Sequence, residues 1–142
     1  MSDYPLSTTR HSAAHVLAQA LQCLYDDVKL AIGPAIDDGF YYDIDTPKAI
    51  TEDDLSMIEK EMKRIIKEKQ PFKQYNMTKE AAISFFQERN EDYKVALIQD
   101  LDVPEVSIYE NGPFIDLCKG PHVAHTKQIK AIKLLKVSGA YW

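Results

Sequence analysis

The sequence predicts an α+β fold, with amphipathic helices packed on an antiparallel or mixed sheet in a single compact domain. Three observations predict it. Asp38-Gly39 and Asn111-Gly112 each separate two apolar runs, where a tight hairpin turn requires positive φ. Long stretches with apolar residues at three- and four-residue spacing surround these hairpins and read as helices. The strands follow one another too closely for repeated βαβ crossovers, and no GxGxxG follows a strand, so a doubly wound sheet is excluded. At 142 residues the chain has the size of one domain able to bury a core, and no repeat, low-complexity run or linker divides residues 1–142.

The first helix is expected over "STTRHSAAHVLAQALQCLYDD", opened by a Ser or Thr cap and running without Gly or Pro to Asp27. Val16, Leu17, Ala20, Leu21, Cys23 and Leu24 make its apolar face, and His11 and His15 lie one turn apart on a flank. "KLAIGPAI" and "FYYDID" then form the arms of the Asp-Gly hairpin. Thr51 caps a second helix with Asp54 at the capping-box position; Leu55, Ile58, Met62, Ile65 and Ile66 are its buried stripe, and Pro71 stops it. A strand at "FKQYN", a helix at "KEAAISFFQER" and another at "DYKVALIQDL" follow. Asn111-Gly112 joins "VSIYE" to "PFIDLC", and "IKAIKLLKVSGAYW" fits strand or helix, with strand the preferred reading.

Bulk properties narrow the function. A net charge of −5 argues against a protein that lives on nonspecific phosphate contacts, so any nucleic-acid contact must be local. The lysine-rich "KRIIKEK" and "KQIKAIKLLK" are the local candidates, although a solvated face over apolar residues explains both. No apolar run is long enough to span a bilayer, "MSDYPLSTTR" lacks the apolar core of a secretion signal, and a cytoplasmic location is expected. Cys23 and Cys118 are read as free thiols.

The chemistry concentrates in "DLCKGPH", where a carboxylate, a thiol and an imidazole crowd around a Gly-Pro that no helix carries. Strand alternation places Phe114, Asp116 and Cys118 on one face and Ile115 and Leu117 on the other, and the Gly-Pro turn can swing His122 round to join them. "HSAAH" supplies His11 and His15 from a distant segment. Two such pairs satisfy the arithmetic of a tetrahedral metal site. The same four groups equally suit a metal-free hydrolytic site in which imidazoles pass protons and a polar group holds water. Either pair alone is a weak signal, because paired histidines on a helix are commonly surface groups and a strand cysteine is commonly a small buried one. His11 is expected in the first helical turn, where the positive end of the dipole keeps the ring neutral. GxSxG, P-loop, HExxH and CxxC patterns are absent, and no oxyanion-hole motif accompanies Cys118 and His122 as a protease pair.

Five stretches, "RHSAAHVLAQAL", "AIGPAIDDGFYYDID", "DYKVALI", "FIDLCKGPH" and "GAYW", resemble in order and spacing the editing domain of threonyl-tRNA synthetase, from about residue 9 to residue 142. The resemblance implies post-transfer editing: hydrolysis of the seryl ester on the tRNA for threonine. A pocket that binds threonine gains only about 1–3 kcal/mol against serine from one methyl group, so a second, smaller pocket is needed. His11, His15, Cys118 and His122 match the family's HxxxH and CxxxH, and Asp116 matches the aspartate two residues before the cysteine. Tyr42 matches a substrate-pocket tyrosine, and Lys94 matches a lysine near the ester. On this basis His11 orients the 2′-hydroxyl and shuttles protons, His122 and Cys118 position water, and Lys94 stabilises developing negative charge. His15 and Asp116 hold the others or touch the seryl group. His125 matches nothing in the family and is read as a surface residue.

The same resemblance implies no required cofactor, with zinc on His11, His15, Cys118 and His122 as the alternative, as in the related alanyl-type editing domains. The partners implied are the 3′ acceptor end of the tRNA for threonine carrying serine and the other domains of a longer, homodimeric synthetase; no membrane is involved. The chain reads as a fragment of that synthetase without its catalytic and anticodon-binding domains, or else as a free-standing factor. Two other functions remain open at this point: a zinc-dependent hydrolase of the alanyl type, and a tRNA-binding module without catalysis.

Overall fold

The computed structural model describes residues 5–25, 28–30, 35–36, 39–47, 50–130 and 132–135. Helix α1 spans Leu6–Leu24. It begins directly after Pro5 and has no side-chain cap, so Ser7 and Thr8 lie inside its first turn instead of capping it. Proline is tolerated there because the first helical N–H groups lack partners in any case. The helix ends at Tyr25, which turns extended. Val16, Ala20 and Leu21 face inward as expected, whereas Cys23 is exposed. That cysteine lies at the edge of the apolar stripe, near Glu61 and Arg64 of the neighbouring helix.

Two short antiparallel ladders follow. β1, Lys29–Leu30, pairs with β4, Ile44–Asp45, and β2, Ala35–Ile36, pairs with β3, Gly39–Phe40. The hairpin forms as expected, but the register Ile36↔Gly39 places Gly39 in β3 and not in the turn, and the two residues between, 37–38, lie outside the described residues. A 3-10 turn at Glu52–Asp54 then leads into α2, Leu55–Lys67. The Asp54 carboxylate accepts the Thr51 N–H at 3.0 Å, satisfying one donor that the helix start would leave bare. After α2 come β5, Lys73–Thr78, helix α3, Lys79–Glu88, and helix α4, Asp92–Asp100. Thr78 caps α3 by accepting the Ala81 N–H. β6, Glu105–Asn111, and β7, Phe114–Leu117, complete an antiparallel sheet in the order β5-β6-β7.

Two cores hold these elements together. In one, Ala13, Val16, Ala20 and Leu21 of α1 meet Ile58, Met62 and Ile65 of α2, closed by Val123 and Ile129. In the other, Ala82 and Phe86 of α3 and Val95 and Ile98 of α4 pack on Val106 and Ile108 of β6. Truncating a fully buried member such as Met62 to alanine is worth about 2–5 kcal/mol. Strand β7 serves both sides: Ile115 and Leu117 join the α3–α4 core, while Phe114 packs with Ala18 and Leu30 on the α1 side. Its alternation therefore aims Asp116 toward α1. A buried amide network fixes the β6–β7 turn on α1, with Asn111 Nδ2 donating to Gln19 Oε1 at 2.6 Å and to Gln70 Oε1 at 3.0 Å. Gly112 is required in that turn, since its φ is +55° and a Cβ would come within 2.8 Å of the Gln70 side chain.

The final stretch departs from expectation. Thr126–Gln128 form a 3-10 turn, and residues 132–135 run without regular structure along α2, where Leu134 N–H donates to Glu59 Oε1 at 2.8 Å. A side chain of α2, in place of a neighbouring strand, takes up the backbone donor. Residues 131 and 136–142, including "GAYW", lie outside the described residues.

Candidate active site

Helix α1 and the loop after β7, more than a hundred residues apart, meet at Cys118. Its Sγ lies 3.3 Å from His11 Nε2 and 3.2 Å from His122 Nε2, and it accepts the Gly120 N–H at 3.3 Å. Gly120 has φ +74°, and a Cβ there would sit 2.4 Å from Tyr109 Oη, so the loop can close only on glycine. His122 is buried and surrounded by rings: Phe72 and His15 stack on it at 4.8 and 4.7 Å, and Tyr109 meets it edge-on at 4.5 Å. Burial, reinforced by His15 and His11, pulls its pKa down to about 2. His11 is lowered in the same direction, chiefly by burial and then by His15. The dipole does not supply this effect, because α1 starts at Leu6 and His11 falls in the second turn. Burial also pushes the Cys118 thiol up to about 11, so sulfur keeps its proton near neutral pH.

A second cluster adjoins the first. The Lys94 ammonium pairs with Asp116 Oδ1 and donates to Tyr42 Oη at 2.9 Å, while Tyr42 donates to Asp116 Oδ2 at 2.9 Å. Lys94 and Asp116 are 2% and 3% exposed, so this is a desolvated ion pair closed into a ring by a phenol. Burial would raise the Asp116 pKa, but the Lys94 ammonium, with His15 beside it, outweighs burial and keeps the carboxylate ionised. Burial and then Asp116 hold the Tyr42 hydroxyl well above its usual pKa, so it stays a donor. His15 lies 3.3 Å from Asp116 Oδ2, close enough for ion pairing but off hydrogen-bond geometry, and neither of its ring nitrogens has a hydrogen-bond partner.

Both clusters border one cleft of about 790 Å³, which Leu97, Leu101, Val103 and Val106 also line. His11, His15, Tyr42, Lys94, Asp116 and Cys118 border it, whereas His122 stands behind Cys118. All seven residues singled out in the sequence thus fall in one place. Among the described residues, His11, Cys118 and His122 form a metal-type trio whose donor atoms lie within 4.8 Å of one another. Two imidazoles and a sulfur at this spacing fit a zinc ion with an open position. His15 is not a fourth member, since Asp116 claims its Nε2 side. Of the four ligands suggested by spacing alone, this trio holds three.

Sequence reasoning missed the residues that support the site. Ser12, Phe72 and Tyr109 hold His122, and Glu91, buried at the start of α4, faces Lys94. None of them stands at a spacing that marks it, although Ser12 sits inside "HSAAH" itself. His125, read as a surface residue, is half-buried: it bridges to Pro71 and its Nδ1 is enclosed without a hydrogen bond.

Known proteins give this geometry a context. A profile described as the threonyl and alanyl tRNA synthetase second additional domain matches residues 106–140. The threonine–tRNA ligase of Clostridium novyi is 57% identical over 138 residues, 95% of this chain and 21% of that protein. The threonine–tRNA ligase of Acetivibrio thermocellus is 54% identical over 134 residues, 94% of this chain and 21% of that protein. The chain thus spans about a fifth of the length of these relatives. Nearly all of the chain is thus similar to a segment of threonine–tRNA ligases, and within it residues 106–140 match the second additional domain of threonyl and alanyl tRNA synthetases.

Proposed function

We propose that this site hydrolyses the seryl ester on the tRNA for threonine, as the editing unit of a threonine–tRNA ligase in the cytoplasm. The observation that carries the reading is the meeting of a neutral His–Cys–His cluster and a buried Lys–Tyr–Asp cluster on one cleft. His11, neutral at physiological pH, takes a proton from water held beside Cys118 as the water oxygen attacks the ester carbonyl carbon. The tetrahedral oxyanion faces the Lys94 ammonium, which is ion-paired with Asp116 and donates to Tyr42. When the carbonyl–ribose bond breaks, the proton on His11 passes to the departing ribose oxygen, leaving serine and intact tRNA. Other parts of the longer synthetase supply most of the tRNA affinity, consistent with the net charge of −5. Zinc is not assigned a step; if bound by His11, Cys118 and His122, it would polarise the water.

Deacylation assays test this reading. Release of serine from the tRNA for threonine should far exceed release of threonine, because the pocket must reject one extra methyl group. Hydrolysis confined to seryl-tRNA for alanine, abolished by chelation with loss of one zinc per chain, would replace this reading with the zinc-dependent alanyl type.

A further inference from the structure

Ser12 does more than fill the turn between the two helix histidines. Its side chain is fully buried, and its hydroxyl is the meeting point of three groups from two distant segments. Oγ donates to the Thr8 carbonyl at 2.9 Å, accepts the Val123 N–H at 3.0 Å, and lies 2.9 Å from His122 Nδ1. A hydroxyl has one proton and two lone pairs. With the proton given to Thr8 and one lone pair taken by Val123, only the second lone pair remains for the imidazole. Nδ1 must therefore be the donor.

We propose that Ser12 is a positioning residue that holds His122 as the Nδ1–H tautomer, with the Nε2 lone pair turned toward Cys118 Sγ. Stacking by Phe72 and His15 fixes the plane of the ring, but stacking alone permits the ring to flip; the anchored Nδ1–H removes that freedom. The consequence reaches the cleft. Cys118 has a single thiol proton and two imidazole nitrogens beside it, at 3.2 and 3.3 Å. An unprotonated His122 Nε2, buried behind the sulfur, takes that proton as a hydrogen bond. The lone pair of His11 Nε2, on the cleft side, is then left for water. Ser12 in this way decides which of the two histidines is the free base. That consequence rests on the hydrolytic reading above; the tautomer assignment does not.

The test is a long-range proton–nitrogen correlation spectrum of the nitrogen-15-labelled chain near neutral pH, with the His122 ring assigned by its loss in His122→Asn. The expected spectrum shows a protonated Nδ1 and an unprotonated Nε2. A protonated Nε2 in the unmodified chain overturns the proposal without any variant being made. In Ser12→Ala the fixed tautomer should give way to a mixture, and seryl-ester turnover should fall about tenfold with little change in KM, the scale of losing a supporting hydrogen bond. Retention of pure Nδ1–H in Ser12→Ala also overturns it. If the tautomer behaves as expected but seryl-tRNA is not a substrate, the positioning role stands and the substrate assignment alone falls.

Discussion

Around Cys118 the polar groups meet as neutral molecules, whereas around Asp116 they meet as ions. The first cluster is a thiol between two imidazoles, with all three pKa values moved away from their charged forms by burial. The second is an ammonium, a carboxylate and a phenol, with the carboxylate kept charged by its partners against the same burial. The two lie side by side on one cleft, so their difference comes from composition and not from depth. An imidazole left neutral can accept a proton; an ammonium pinned by a carboxylate can only offer a fixed field. In the proposed hydrolysis the neutral side would move protons and the ionic side would hold charge.

Breaking the ionic side should do the most damage, and to the fold first. Asp116→Asn leaves the Lys94 ammonium buried without its counter-ion, and such a loss is worth about 3–5 kcal/mol. Denaturant unfolding of this variant measures it; a loss below about 1 kcal/mol would mean that water or Glu91 already neutralises Lys94. His11→Ala attacks the neutral side. It should lower seryl-ester turnover by about 10²–10³-fold while shifting the unfolding midpoint little, since His11 is half-buried and carries no charge.

The same contrast explains what could be foreseen. The parity of β7 and the two histidines of "HSAAH" put His11, Asp116 and Cys118 on facing surfaces, because side-chain direction on strands and helices follows from spacing. The pairing of His15 with Asp116 was hidden, since it depends on how far α1 slides along the sheet, which packing sets. So too the irregular course of residues 132–135, whose apolar pattern suited a strand but whose backbone donor found Glu59 of α2. The Ser or Thr cap of α1 failed for a similar reason: the helix starts at Leu6, ahead of Ser7 and Thr8, and Thr8 is buried inside its first turn.

Acid sharpens the comparison. His122 takes no proton in the folded chain until about pH 2, but in the unfolded chain its value is the ordinary 6.5. Below 6.5 the unfolded state binds more protons, so stability falls as pH drops; above it the group contributes nothing further. Between about pH 7.5 and 5.5 this one ring should remove about 1.4 kcal/mol, and His11 acts with the same sign. Asp116, lowered in the fold, adds its own loss only when the pH falls below the ordinary carboxylate range. Unfolding curves at the two pH values measure the first window, and His122→Asn should flatten it. Tyr42→Phe should have the smallest effect. It removes one hydrogen bond to Asp116 and one from Lys94 while leaving the ion pair, for about 1 kcal/mol of stability.

The single-turnover rate of seryl-ester hydrolysis on the tRNA for threonine, compared between the unmodified chain and Cys118→Ala, tests the central claim most directly. The account predicts a fall of about 10²-fold or more in a chain that still folds, because the variant removes the sulfur that holds water beside His11. An undiminished rate would contradict it, taking the thiol, and with it the neutral half of the cleft, out of the reaction.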